Sequence, residues 1–344
     1  MRDKRLYILV FFLVIVVRGF GQQDPQFTQH MHTILPINPG IAGSSNICAS
    51  MHYRQQWAGF YDMDTNGIDK YKTSPEEIML TVHGKVKPLH GGLGLTVYRD
   101  KYGHQQDITV KLAYSFRVNL FGGVLGVGPS IDMLSRKMTK DHWIAGQSGD
   151  QVLIAAMGET DMLMSASLGA YFEMQNKWYA GVSSTQLVPI LKGNKLYQRE
   201  TPHLYFLGGY TFALASNPNW EFKPCALVKT DLRTVPQIDA TMLAEWMGMY
   251  WLGVSYRVFD AVAVLGGAKP FVNASSKALQ GLEVMMSYDV TTSQMLRKKG
   301  TFAGRSMGSY EFSLKYCFKI VTKPPTEAYR NSRTLGNTPI DFRR

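Results

Sequence analysis

The sequence predicts an all-β protein: an antiparallel transmembrane β-barrel of the outer-membrane kind, with about fourteen strands, an irregular N-terminal segment and a periplasmic C-terminal tail. Three observations predict it. The chain opens with an export signal. A period-two alternation of apolar and polar residues recurs across residues 46–320. The links between the alternating runs are mostly long and short by turns.

Arg2, Lys4 and Arg5 form a basic start, and Leu6 to Val17 form an apolar run. That run is shorter than the roughly 20 residues a membrane-spanning helix needs. Arg18 interrupts it, and Gly19 and Gly21 supply small residues near a plausible cut. Residues 1–21 are therefore expected to be a signal peptide, with Gln22 or Gln23 heading the mature chain. No Cys follows closely, as lipoprotein processing would require. No later apolar stretch is long enough for a second membrane helix.

The alternation is explicit in several places. Ile108, Val110, Leu112, Tyr114 and Phe116 interleave with Asp107, Thr109, Lys111, Ser115 and Arg117. Tyr310, Phe312, Leu314, Tyr316 and Phe318 interleave with Glu311, Ser313, Lys315, Cys317 and Lys319. Successive strand side chains point to opposite faces, so each run has one apolar and one polar face. Several runs reach about ten residues, the length a tilted strand needs to cross a bilayer. The expected strand cores are 46–54, 78–85, 91–98, 106–116, 122–133, 161–173, 177–184, 203–214, 219–229, 236–246, 249–258, 261–269, 278–289 and 309–319.

A sheet in lipid must close, because no backbone donor or acceptor can stay unpaired there. Ile108, Val110, Leu112, Tyr114, Tyr310, Phe312 and Leu314 are expected to face lipid. Gly122, Gly126, Gly128, Ser130 and Asp132 give the fifth strand a small, polar face suited to a lumen. This pattern leaves open whether the lumen is empty or filled. Links 55–77, 134–160, 185–202 and 290–308 are long, as outer loops are, and the link at Phe259-Asp260 is an exception.

Two stretches lie outside the strands. Residues 22–45 contain Pro25, Pro36 and Pro39 and are expected to be an irregular periplasmic segment. Residues 321–344 contain Pro324, Pro325 and Pro339, and form a basic periplasmic tail with Lys323, Arg330, Arg333, Arg343 and Arg344. An even-stranded barrel entered from the periplasm returns both chain ends to that side.

Other readings of the composition fail on motif grounds. The net charge of +11 is spread singly, without a basic run or a nucleic-acid-binding motif. Positive charge facing periplasm, lumen or lipid headgroups accounts for it. His30 and His32 are two apart but have no adjacent cysteine or carboxylate cluster, so no metal site is expected. Asp62 to Gly67 opens like a calcium loop but lacks its closing Glu. No GxSxG-type context marks a hydrolase, so no catalytic residue and no cofactor is expected. Cys48, Cys225 and Cys317 are an odd set in which at most one pair can form; small residues on strand faces need no pairing. The 18 methionines read as strand-face filling more readily than as an adaptable binding surface.

The stretch Gln23-Asp24-Pro25-Gln26-Phe27-Thr28-Gln29-His30-Met31, with Asn38-Pro39-Gly40-Ile41-Ala42-Gly43, resembles the N-terminal signature of the PorP/SprF family. These are type IX secretion system membrane proteins of Bacteroidetes. Thr28, His30, Gly40 and Ile41 depart modestly from the family pattern. Tyr53-Arg54-Gln55-Gln56-Trp57-Ala58-Gly59 resembles a second block, with Ala58 in place of a proline. Trp178 to Ser183, His203 to Tyr210, Pro236 to Asp239, Tyr256-Arg257 with Asp260, Tyr288-Asp289 and Ser309 to Phe312 resemble later blocks in order. The resemblance implies a barrel required for type IX secretion and, in gliding species, for surface adhesin export. It implies contact with other type IX components, with a periplasmic peptidoglycan-associated protein and with secreted surface cargo. On that basis Asp24, Pro25, Gln26, Phe27, Asn38, Pro39, Gly43, Tyr53, Arg54 and Trp57 are candidate partner-docking residues. A small-solute porin or outer-membrane transporter is the competing expectation.

Overall fold

The computed structural model describes residues 26–63, 70–138, 159–174, 177–191, 201–272, 274, 279–292 and 307–318. A 14-strand antiparallel sheet closes on itself. Its strands are β1 (Ile47–Gln55), β2 (Glu76–Val86), β3 (Gly91–Tyr102), β4 (Gln105–Leu120), β5 (Gly123–Met138), β6 (Thr160–Met174) and β7 (Trp178–Leu191). They continue as β8 (His203–Tyr210), β9 (Asn217–Thr230), β10 (Gln237–Trp246), β11 (Tyr250–Arg257), β12 (Ala261–Ala268), β13 (Leu282–Thr291) and β14 (Ser309–Phe318). Phe212–Leu214 extends the edge of β8 along β9, and Tyr61–Met63 pairs with Lys70–Lys72 in a small hairpin outside the barrel. Each strand pairs with its neighbours in sequence, and β1 pairs with β14 from Ile47↔Phe318 to Gln55↔Tyr310.

The burial pattern is inverted relative to a soluble sheet. On β4, Gln105, Asp107, Thr109, Lys111 and Ser115 are buried, whereas Ile108, Leu112 and Phe116 are 41%, 50% and 51% exposed. On β14, Ser309, Glu311 and Ser313 are buried while Tyr310 and Phe312 are exposed. An apolar exterior around a polar interior is the pattern of a barrel whose solvent outside is lipid. Val110, Tyr114 and Leu314 fall on the same outward faces by alternation.

The strand assignments agree closely with the periodicity, and the differences have local causes. β4 and β5 each reach 16 residues, longer than their alternation indicates. Gly122 is not on a strand face; with Phe121 it forms the two-residue turn between them, at φ +76°. The cysteines correct the reading of unpaired small residues: Cys48 and Cys317 are directly opposed across β1 and β14 and are disulfide-bonded. Cys225 is free. The pairing was hidden in the sequence because it exists only once the first and last strands meet.

One end of the barrel carries short turns, such as Lys87–Leu89 with His90, Phe121-Gly122 and 247–249. β1 begins and β14 ends there. At the opposite end β1, β5 and β7 finish and β2, β6 and β8 start, and the tight turns at 103–104 and 258–260 also lie there.

A plugged lumen as the candidate functional site

Residues 26–45 lie inside the barrel. They are irregular for the reasons their sequence gives. Pro36 and Pro39 cannot donate backbone hydrogen bonds. Asn38 caps a single 3-10 turn, Pro39–Ile41, by accepting from the Gly40 amide at 2.9 Å. What holds them in place is the polar inner face of the strands.

Toward the short-turn end the plug is held by Asn38, which is fully buried. Its Nδ2 donates to the Ala170 carbonyl on β6 (3.0 Å) and the Val182 carbonyl on β7 (3.4 Å). Ser183 Oγ donates to the Ile37 carbonyl at 2.7 Å, Lys111 Nζ to that of Pro36 at 3.1 Å, and Ser115 Oγ to that of Gly40 at 2.9 Å. The approach is close enough to require glycine on both sides. A Cβ on Gly126 would sit 2.2 Å from the Gly40 oxygen, and one on Gly169 would sit 2.2 Å from Asn38 Oδ1. The small face of β5 therefore does not leave empty space; it admits the plug.

Apolar side chains of the plug fill pockets between strands. Ile34 joins Tyr171, Tyr205, Leu207 and Leu227. Met31 packs on Leu243, Trp251, Leu265 and Met285. The His32 ring stacks on Trp251 with centroids 5.4 Å apart. His30 and His32 belong to the plug rather than to a spanning strand, and burial lowers both imidazoles to about 4. Both are therefore neutral at pH 7. His30 Nε2 lies 3.8 Å from Cys225 Sγ.

Toward the long-loop end the plug meets a buried ion cluster. Glu311 on β14 accepts from the backbone amides of Thr28 (2.5 Å) and Gln29 (3.1 Å) and from Arg54 Nη1 on β1 (2.6 Å). Thr28 Oγ1 donates to Asp289 on β13 at 2.6 Å, and Gln26 Nε2 donates to Asp239 on β10 at 2.7 Å. Arg54 also donates to the Gln26 carbonyl. Arg257 on β11 pairs with Asp239 (3.2 Å), Asp260 (3.3 Å) and Asp289 (3.6 Å), and its Nη2 donates to Thr28 Oγ1 at 3.3 Å.

The sequence candidates thus divide. Gln26, Phe27, Asn38, Pro39 and Gly43 belong to the plug, and Arg54 points inward to receive it. Tyr53 points outward, its ring 6.3 Å from that of Tyr310. Trp57 stands just beyond β1, where its amide donates to Ser309 Oγ at 3.1 Å. Asp24 and Pro25 lie outside the described residues, as do the tail 321–344 and most of the Asp62 to Gly67 stretch. A segment projecting into the periplasm is not what residues 26–45 form, because their hydrogen-bond partners are the inward side chains and carbonyls of the strands. Asp239, Arg257 with Asp260, Asp289 and Glu311 were visible in four separate blocks, but not as one cluster. A charged residue on the inner face near the same end of successive strands was the available signal.

The plug leaves a vestibule at each mouth. The one at the long-loop end, about 570 Å³, is lined by Gln26, Arg54, Glu77, Tyr102, Arg257 and Asp260 among others. The one at the short-turn end, about 630 Å³, is lined by Ser44, Lys85, Glu173, Lys177 and Trp178 among others. Arg117 pairs with Glu173 at that mouth. Among the described residues no group of three or more His, Cys, Asp or Glu is placed to hold a metal ion.

The model of the type IX secretion system membrane protein PorP/SprF family matches residues 19–316, nearly the whole barrel and its plug. The chain belongs to the PorP/SprF family. Gln26, Arg54, Asp239, Arg257, Asp289 and Glu311, which come together in the ion cluster, all fall within the matched stretch. Among solved structures, this PorP/SprF chain is similar to the TodX deltaS2S3 mutant monoaromatic hydrocarbon channel (10% identity, 82% of this chain, 92% of that chain, TM-score 0.44). It is also similar to the Acinetobacter baumannii outer membrane protein Omp33 (9% identity, 80% and 98%, TM-score 0.40). A Pseudomonas aeruginosa FadL homologue is matched at 11% identity, 79% and 90% coverage and TM-score 0.39. No curated protein sequence matches.

Proposed function

We propose that this PorP/SprF protein is a non-enzymatic, closed barrel of the type IX secretion machinery, serving as an outer-membrane scaffold for periplasmic partners and surface cargo. The observation that carries this reading is the filled lumen: residues 26–45 occupy it through hydrogen bonds to strands on opposite sides of the barrel. A pore for free solute flow has no use for a plug anchored by both ion pairs and packed apolar side chains. A platform benefits, because a filled barrel is stiffer and does not leak. The proposed partners are other type IX components, a periplasmic peptidoglycan-associated protein and exported surface cargo, including adhesins where cells glide. Both strand ends at the short-turn mouth are assigned to the periplasm, and the basic tail 321–344 is assigned a docking role there.

A gentle detergent pull-down from the native membrane tests the scaffold. Recovery of periplasmic type IX components with the barrel supports it. Recovery of the barrel alone under conditions that preserve the rest of the machinery contradicts it.

A further inference from the structure

Between the plug and the β1–β14 seam lies an internal cavity of about 70 Å³. A single water needs roughly 10–15 Å³ by this measure, so the space admits a group larger than one water. One wall is a small grid of inward side chains from β14, β1 and β2. Lys315 lies opposite Ser50, and Ser50 lies opposite Thr81. Two residues nearer the short-turn mouth, Cys317 lies opposite Cys48, and Cys48 opposite His83. The plug supplies the other wall, which includes His32, Ser44 and Ser45.

The cavity is rich in donors and lacks a counter-ion. No Asp or Glu is among the described residues that line it. The Lys315 ammonium makes no hydrogen bond or ion pair among the described residues. Glu283, its cross-strand neighbour on β13, accepts instead from Trp251 Nε1 at 3.3 Å. The Lys315 charge is felt at His32, His52 and His83. Nε2 of His32 and Nδ1 of His83 are buried without a hydrogen-bond partner. Each ring can carry its proton on that nitrogen and donate. A relay supplies one more donor. His52 Nδ1 lies 2.6 Å from Ser313 Oγ, its Nε2 lies 3.0 Å from Ser50 Oγ, and Ser50 Oγ lies 2.6 Å from Thr81 Oγ1. With each member donating toward Thr81, the Thr81 hydroxyl keeps a proton for the cavity. A lysine without a counter-ion beside unpartnered buried nitrogens costs free energy. One oxyanion removes that cost, because its charge faces the ammonium while its oxygens accept from the imidazoles and the hydroxyl. Ser44 also lines the short-turn vestibule, where Lys85 and Lys177 outnumber Glu173, itself paired with Arg117. An anion therefore has a basic approach from that mouth.

We infer that this cavity binds a small tetrahedral oxyanion of the phosphate or sulfate class, held by Lys315, His32, His83 and Thr81. The anion ties the plug, through His32, to β14 and β2 on either side of β1. This rests on the position of the plug, not on the scaffold role, so the outcome of a pull-down does not bear on it.

The test is equilibrium dialysis of the detergent-solubilised intact barrel against radiolabelled inorganic phosphate, with ionic strength held constant by sodium gluconate. The expected result is saturable uptake of a single phosphate per barrel, competed by sulfate. Lys315→Met is expected to weaken uptake by about tenfold or more, the worth of a hydrogen bond to a charged group. Lys101→Met, at the far end of β3, is expected to leave it unchanged. Should Lys315→Met fail to assemble, His83→Leu keeps the lysine and removes one donor, and is expected to weaken uptake by about threefold or more. Absence of saturable uptake, the behaviour of a cavity filled by water alone, would overturn the proposal. So would uptake that Lys315→Met or His83→Leu leaves unchanged, or that Lys101→Met reduces equally.

Discussion

Asn38 shows how much a single side chain does here. It caps the 3-10 turn and bridges two strands with one amide, while the glycine opposite it, Gly169, has no room for a Cβ. Asn38→Ala leaves the Gly40 amide and two strand carbonyls without this partner in a buried site. The expected loss is about 1–3 kcal/mol of plug stability. Limited proteolysis of the folded barrel is the check: faster cleavage within residues 26–45, with the strands still resistant. The outer face obeys the opposite rule. Val110 lies opposite Val97 and Met133 in the middle of β4 and its neighbours. Val110→Arg is expected to cost about 2–4 kcal/mol if that row lies at the bilayer midplane. A refolding titration in lipid vesicles reads it, and an unchanged midpoint would refute the midplane placement.

At the scale of elements, the strands and the plug were unequally legible. A strand writes its own signature, since alternation within Gln105–Leu120 depends on no other part of the chain. The plug's partners are remote: Thr28 and Glu311 are 283 residues apart, and Asn38 and Ala170 are 132 apart. Prolines told that residues 22–45 are irregular but not what surrounds them. The Cys48–Cys317 bond, 269 residues apart, was opaque for the same reason. The plug also has a pH dependence with a definite sign. Burial lowers His30 and His32 from 6.5 to about 4, so an undocked plug takes up protons that the docked one refuses. Docking is favoured fully above about pH 6.5 and is weakened as pH falls toward 4. Protease access to residues 26–45 is expected to rise between pH 6.5 and 4. Replacing both histidines with Gln is expected to flatten that rise.

The whole molecule is a barrel sealed twice. β1 and β14 are zipped by their hydrogen-bonded ladder and stapled by a disulfide, and the plug ties both to β10, β11 and β13 through the ion cluster. The dispersed blocks that resemble the family's contribute Arg54, Asp239, Arg257, Asp289 and Glu311 to one surface that binds the chain's own N-terminal segment. On the proposed scaffold reading, docking of outside partners falls to the parts the plug leaves free. Truncation after Ile320 is expected to preserve barrel assembly, seen as heat-modifiable mobility, and to reduce both partner pull-down and cargo export. Unchanged pull-down and export would remove the tail from the docking account without touching the plug. The central claim, that residues 26–45 close the lumen, is tested most directly by planar-bilayer conductance of the intact protein and of a variant lacking residues 27–44. Closure predicts negligible steady conductance for the intact barrel and large, stable channels for the variant. Steady open channels from the intact protein, unchanged by the deletion, would contradict it.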